Sequence, residues 1–228
     1  MRQDSLLSDC CQGFESLKFD KMNWDPFWWT CHKPRIIWSD PNLYYSMAVI
    51  IFNPVFWNVA ARLEYRKKFL TRLFGSPYKG CTLLGATIMF LSVLRMRRFQ
   101  LAIENQYRWP LLETDAVWMI GSLVLAIGLT LGTSSFWKLG FFGTVMGDYF
   151  GILMDEKVTS FPFNFFNNPM YVGVTLEYVG AALQFASPSG LLLAALVGVM
   201  YSIAICFEEP FTERIYAERA AEEKKKDK

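Results

Sequence analysis

Long stretches without a charged side chain alternate with short polar segments along this chain. The longest stretch without Asp, Glu, Lys or Arg covers residues 178–207, and three others cover 116–137, 41–61 and 80–94. A helix needs about 20 apolar residues to cross the hydrocarbon core of a bilayer. Three of the four stretches reach that length, and none shows the alternation of a membrane β-strand. The pattern therefore predicts an all-α, polytopic helical membrane protein.

Proline, glycine and serine residues divide these stretches into separate helices. Asn53 and Pro54 interrupt the first stretch, and proline kinks a helix because it removes a hydrogen bond. This segment therefore either spans the membrane with a kink or re-enters it. Residues 187–190, Ser-Pro-Ser-Gly, are a turn signal, so the last two helices should form a hairpin. We predict four to five membrane-embedded helices, within residues 42–61, 80–95, 116–138, 169–185 and 189–207.

The composition agrees with a membrane protein. The chain is 53% hydrophobic and 19% charged, whereas soluble domains are about 45–50% apolar and about 25% charged. The net charge of +2 gives no reason to expect nucleic acid as a partner. The five cysteines include no CxxC pair, and Cys10, Cys11, Cys31 and His32 match no zinc-ligand spacing. We therefore expect no metal site.

The charge distribution predicts three regions and an orientation. Residues 1–40 form a polar and aromatic extension, 41–217 the membrane domain and 218–228 a charged tail. Residues 62–79 carry six Lys or Arg side chains against one acid, and positive charge collects on the cytosolic side. The C-terminus should then be cytosolic and the N-terminus luminal. The final Lys-Lys-Asp-Lys is either a localisation signal or a solubilising tail. We predict that the protein lies in the endoplasmic reticulum membrane, with the mitochondrial membrane as a second location.

The hairpin places two polar motifs at one membrane face. From Tyr171 to the turn, and from the turn to Glu208, the helices have nearly equal lengths of about 24 and about 27 Å. Asn168 and Tyr171 should therefore face Glu208 and Glu209. Carboxylates beside hydrocarbon are costly and are candidates for function. The alternative is an ordinary helix end exposed to water.

Eight short motifs spread over residues 45–217 resemble the phosphatidylethanolamine N-methyltransferases, also called phospholipid methyltransferases. The motifs are FNPVFWN at 52–58, FGSPY at 74–78, LGFFGT at 139–144, GDYFGIL at 147–153, FPFN at 161–164, NPMY at 168–171, ASPSG at 186–190 and EEPFT at 208–212. The resemblance implies a fold similar to that of the isoprenylcysteine carboxyl methyltransferases.

The resemblance also implies an activity. Methyl groups would pass from S-adenosylmethionine to the amine of phosphatidylethanolamine, up to three times, to give phosphatidylcholine and S-adenosylhomocysteine. The expected partners are phosphatidylethanolamine, its mono- and dimethylated forms and the bilayer, with a homo-oligomer as a further expectation. Two alternatives stay open: an enzyme of the later methylations only, and a non-catalytic lipid-binding scaffold.

The resemblance suggests residues that would bind the cofactor. Glu208 and Glu209 match the family's Glu-Glu pair fully. The family's Gly-x-Gly falls on Ala126, Ile127 and Gly128, so its first glycine is missing, and a helix-packing role for Gly128 is the alternative.

In the wider group an Arg-His-Pro-x-Tyr-x-Gly motif falls on residues 167–173, where Pro, Tyr and Gly match but Arg and His do not. The match carries over Tyr171 and, through its place in the motif, Asn168 as cofactor contacts.

The chemistry of the transfer suggests a proton acceptor. The attacking amine must lose a proton, and a nearby carboxylate can take it. Asp148 is the first candidate and Glu209 the second; Asp148 is alternatively a helix cap. Arg214 would meet the cofactor carboxylate, or alternatively pair with Glu209 or Glu218.

Overall fold

The computed structural model describes residues 33–155 and 158–226, and within them all regular structure is helical. We number the helices α1 (Pro41–Lys67), α2 (Phe69–Phe74), α3 (Pro77–Glu104), α4 (Asp115–Thr144), α5 (Pro169–Gln184) and α6 (Pro188–Lys226), with a 3₁₀ helix at Gly147–Phe150. In the described part of the chain, four segments are long and apolar enough to cross a membrane: Pro41–Lys67, Pro77–Glu104, Asp115–Phe150 and Pro188–Arg219. The prediction of an all-α, polytopic membrane protein is confirmed.

Helix α1 is continuous across the predicted interruption. It begins with Pro41 behind Asp40, whose carboxylate accepts the Asn42 N–H at 2.9 Å, and it runs for 27 residues with Pro54 inside it. Asn53 is buried and donates to the Leu91 carbonyl of α3 at 3.0 Å. Helix α1 therefore runs through the proline as one continuous helix that is long and apolar enough to span.

The helix ends define two faces of the molecule. At one face the Cys81 thiol lies 3.6 Å from the Val145 carbonyl oxygen, and the Tyr216 hydroxyl accepts the Met154 N–H at 3.1 Å. At the other, the Gln106 side chain binds the Ile37 backbone and the Trp109 N–H donates to Ala186 at 2.7 Å. The segments 68–76, 145–155 and 158–168 and the C-terminal part of α6 therefore share one face.

Helices α4 and α5 pack closely through glycines. A Cβ on Gly128 would lie 2.6 Å from the Gly173 carbonyl oxygen, and one on Gly180 would lie 2.7 Å from the Gly121 oxygen. Backbones can approach this closely only where side chains are absent. Helix α5 has 16 residues, about 24 Å, and forms the predicted hairpin with α6.

Helix α6 is a single helix of 39 residues. The last membrane helix was predicted within residues 189–207, whereas α6 continues without a break through Pro210 to Lys226. Pro210 lacks an N–H and so deprives the Cys206 carbonyl of its usual partner. The helix continues because the residues beyond are good helix formers and because Phe211 and Ile215 are buried.

Candidate active site

Glu208 is the centre of a hydrogen-bonded cluster at the shared face. Its Oε1 accepts the indole N–H of Trp57 at 3.0 Å and the amide of Asn58 at 2.7 Å. Its Oε2 accepts the Tyr171 hydroxyl at 2.6 Å. The carboxylate therefore joins α1, α5 and α6, and the predicted meeting of Tyr171 with Glu208 is confirmed.

Two partners of Glu208 come from α1 and were not among the residues expected at the site. Trp57 and Asn58 lie about 150 residues before Glu208 in the chain, and Trp57 is buried. The motif at 52–58 contains both, so the sequence did carry a signal for this segment. It gave no indication of the partner, because nothing in a linear pattern states which helix packs beside which.

Asp148, in the 3₁₀ helix, contacts α6 one helical turn beyond Glu208. Its Oδ2 accepts the Thr212 hydroxyl at 2.7 Å, and its Oδ1 accepts the Tyr149 N–H at 3.1 Å. Thr212 and Glu208 are four residues apart and so share a face of α6. Asp148 is not the N-cap of its 3₁₀ helix, because Met146 occupies that position.

The 3₁₀ helix is held against α6 by aromatic stacking. The rings of Tyr149 and Phe211 are parallel to within 12° with centroids 3.9 Å apart, and Tyr149 is fully buried. The turn is tight: a Cβ on Gly147 would lie 2.6 Å from the Phe142 carbonyl oxygen. This packing fixes Asp148 beside the Glu208 cluster.

Glu209 makes a weaker contact than its neighbour. The Asn168 amide lies 3.4 Å from Glu209 Oε1, at the start of α5. Consecutive residues point in different directions around a helix, so Glu209 faces the N-terminus of α5 while Glu208 faces the interior. The predicted approach of Asn168 and Glu209 is thereby confirmed.

Two polar atoms near Glu208 and Asp148 lack a hydrogen-bond partner. Within the described residues, Asn58 Oδ1 and Tyr149 Oη are buried without a hydrogen-bond partner. Asn58 Oδ1 is an acceptor on the same amide whose N–H binds the Glu208 carboxylate. Buried polar atoms of this kind call for an explanation, and a positively charged ligand with N–H donors would satisfy them.

The segment that matches the family's Gly-x-Gly, residues 126–128, lies in the middle of α4. Gly128 is covered by α5, where a Cβ would also meet the Glu177 N at 2.8 Å. Ile127 is 45% exposed and Ala126 is exposed. Within the described part of the chain, no side-chain hydrogen bond links these three residues to the Glu208 cluster.

Two further expectations concern charge and metal. Arg214 Nε lies 3.8 Å from Glu218 Oε1 at the surface, which is the ion pair considered as the alternative to a cofactor contact. Cys10, Cys11, Cys31 and His32 lie outside the described residues. Among the residues that are described, no cluster of three or more His, Cys, Asp or Glu side chains could hold a metal ion.

Fold and site together define a multi-pass membrane protein with a half-buried, carboxylate-rich site where three helices meet. The sequence profile of the phospholipid methyltransferases matches residues 117–219. The chain is 47% identical over 182 residues to the human phosphatidylethanolamine N-methyltransferase, which covers 80% of this chain and 92% of the relative. The chain belongs to the phospholipid methyltransferase family.

Fungal relatives are equally similar. A phosphatidyl-N-methylethanolamine N-methyltransferase of Emericella nidulans is 48% identical over 188 residues, covering 82% of this chain and 91% of the relative. The protein of the same name from Saccharomyces cerevisiae is 46% identical over 177 residues, covering 77% and 86%. No solved structure matches this chain.

Proposed function

We propose that this chain methylates the amine of phosphatidylethanolamine, with S-adenosylmethionine as donor, and repeats the transfer to give phosphatidylcholine. The observation that carries the proposal is the half-buried Glu208, bound by donors from α1 and α5. It lies next to a second carboxylate and an unsatisfied acceptor on Asn58. The donor and the lipid amine are both cations, and an acceptor-rich site suits them.

The chemistry of the residues fits S-adenosylmethionine, which, when bound, supplies a methyl group activated on a sulfonium. Glu208 and Glu209 would bind ammonium or hydroxyl groups through charge-assisted hydrogen bonds. Tyr171 holds Glu208 in place, and Asn168 does the same for Glu209. The segment of Ala126, Ile127 and Gly128 stays a proposed contact through its match to the family motif.

Asp148 is proposed as the proton acceptor. The amine must be neutral to attack, so each transfer releases one proton from nitrogen, and the Asp148 carboxylate receives it. The bond from Thr212 orients one carboxylate oxygen. Most of the acceleration should come from holding the amine in line with the methyl group, which the rigid packing of the 3₁₀ helix on α6 favours.

The test replaces one carboxylate and follows labelled methyl groups into lipid. We expect Glu209→Ala to abolish incorporation without loss of the protein from membranes. Glu213→Ala is the matched control, because Glu213 is an exposed acid four residues further along α6 and should retain full activity. Full activity in Glu209→Ala would remove this residue from the site.

A second candidate is an enzyme of the later methylations only. It is favoured by the fungal relatives, whose names specify the monomethylated lipid. Purified protein offered each lipid separately decides between the two: product from phosphatidylethanolamine itself excludes the narrower activity. A non-catalytic scaffold would give no product from any lipid, with or without stabilisation by the cofactor.

A further inference from the structure

A groove runs between α1 and α6 on the outside of the helix bundle. It has a volume of about 230 Å³ and is lined mainly by apolar side chains. Val55, Val59, Ile203 and Phe207 border it, and each is about half exposed. In a membrane-spanning bundle, this surface faces lipid.

The polar end of the groove contains a cation. Arg62 lines it and donates to the Phe207 carbonyl oxygen at 2.7 Å. The guanidinium also lies over the Phe207 and Phe211 rings, at 5.7 and 5.8 Å from their centroids. A guanidinium has five N–H donors in a planar fork, so donors remain beyond this one bond. Their preferred partner is a carboxylate or phosphate.

Asn58 connects the groove to the active site. It lines the groove one helical turn below Arg62, about 5–6 Å away between Cβ atoms. Its amide N–H binds Glu208, and its Oδ1 is buried without a partner. The groove therefore has the Arg62 cation at one end and the Asn58 acceptor, bound to Glu208, one turn away. The rest of its lining is mainly apolar.

We propose that this groove binds one phospholipid substrate. Arg62 binds the phosphate, Asn58 Oδ1 accepts from the headgroup amine, and one acyl chain lies along Val59, Val55 and Ile203. This rests on the proposed function and specifies where its lipid docks. An ethanolamine headgroup carries an anionic phosphate and an amine two carbons apart, and Arg62 and Asn58 offer a donor and an acceptor that line the same groove.

The shape and charge of the groove favour a phospholipid over other occupants. Its volume is below the roughly 300–1,000 Å³ of closed small-molecule pockets, which suits part of one acyl chain with the remainder in the bilayer. The single cation at the interfacial end complements one phosphate. A neutral lipid would leave the guanidinium without an anion, and a helix of another protein would need a longer apolar face.

The first experiment tests the phosphate contact. We expect Arg62→Gln to raise the KM for phosphatidylethanolamine about tenfold, the factor that corresponds to about 1.4 kcal/mol. Its kcat and its affinity for S-adenosylmethionine should stay within about twofold, since one charge-assisted bond to the lipid is lost. Arg66→Gln is the matched control, an exposed arginine one turn further along α1, and should leave the KM unchanged.

The second experiment tests the acyl chain. Each buried methylene contributes about fourfold in affinity, so octanoyl lipid should be preferred over hexanoyl lipid by roughly 15-fold in kcat/KM. Val59→Trp fills the groove and should abolish this preference. Val93→Trp places the same ring on α3, where Val93 is 70% exposed, and should retain it.

The outcomes separate this proposal from the proposed function. If the wild-type protein methylates no lipid, the proposed function fails. If the wild type is active but Arg62→Gln has an unchanged lipid KM, or Val59→Trp keeps the chain-length preference, the groove is not the docking site. A fall in cofactor affinity in Arg62→Gln would also overturn it, because the arginine would then act at the cofactor.

Discussion

At the scale of single residues, the hydrogen bonds of Glu208 allow its charge to be removed by a substitution that keeps those bonds. Oε1 accepts two N–H donors, and Oε2 accepts one hydroxyl. A glutamine amide can reproduce this arrangement, because its oxygen can accept from Trp57 and Asn58 while its NH₂ donates to the Tyr171 oxygen. Glutamine therefore removes the charge and keeps the network.

We expect Glu208→Gln to fold and to bind S-adenosylmethionine roughly 10–100-fold more weakly, since a hydrogen bond to a charged group contributes about 1.5–3 kcal/mol. Calorimetric titration of the purified protein measures the affinity, and a thermal melt measures folding. Glu208→Ala is the contrasting variant, because it removes the acceptor of the buried Trp57 N–H and of the half-buried Asn58 and Tyr171 donors. A buried donor without an acceptor costs about 1–3 kcal/mol, so this variant should lose stability. Unchanged affinity in Glu208→Gln would contradict the assignment.

Asp148 is proposed to accept the proton of the amine, whereas Glu208 is proposed to bind the cofactor. We expect Asp148→Asn to lower kcat by roughly 10²–10⁴, the usual contribution of a positioned base, while the cofactor affinity stays unchanged. The deficit should shrink as pH rises, because the free amine then deprotonates without help. Activity of the variant across a pH series measures this.

Thr212→Val is the control for Asp148, because it removes only the hydrogen bond to Oδ2 and should cost little. An Asp148→Asn enzyme with wild-type kcat at every pH would show that the proton goes elsewhere, with Glu209 the next residue to test.

At the scale of helices, the contact between α4 and α5 supplies a test of the two interpretations of Gly128. A Cβ there meets backbone atoms of Gly173 and Glu177 at 2.6 and 2.8 Å, which no side-chain movement can relieve. If Gly128 serves packing, the two helices must separate when it is enlarged. If Gly128 instead contacts the cofactor, enlarging it should weaken the binding of S-adenosylmethionine and leave the stability of the protein unchanged.

We expect Gly128→Ala to destabilise the protein by about 1–3 kcal/mol, as overpacking commonly does, and to do so without S-adenosylmethionine present. Thermal unfolding in detergent with and without cofactor measures both effects. Gly198→Ala on α6 is the control, because its new Cβ would approach only Thr175 Cγ2, at 3.4 Å. A stable Gly128→Ala protein with weakened cofactor binding would favour the cofactor role.

The helices also show what the sequence could and could not predict. Each span was predictable, because a membrane helix must be apolar over its own length. The register of α5 against α6 followed from the short turn at 187–190. The position of α1 beside Glu208 did not follow, because it depends on packing between helices far apart in the chain. The unbroken passage of α6 through Pro210 was not predicted, because tertiary burial of Phe211 and Ile215 outweighs the proline.

At the scale of the whole molecule, the site lies at one of two faces, and charge suggests which compartment it meets. The segment 62–79 lies at the face of Glu208 and carries six basic residues against one acid. The opposite face carries the 105–114 segment. We propose that the Glu208 face is cytosolic by the positive-inside rule, which would admit S-adenosylmethionine from the cytosol and present the C-terminal lysines there.

Single-cysteine labelling tests this orientation. In a chain whose five cysteines are replaced by serine, Ser76→Cys reports the Glu208 face and Glu113→Cys the opposite one. With sealed microsomes that keep their cytosolic surface outward, an impermeant maleimide should label Ser76→Cys at once and Glu113→Cys only after the membrane is opened with detergent. The reverse pattern would turn the site towards the lumen, and would then require the cofactor to be transported across the membrane before any methyl transfer.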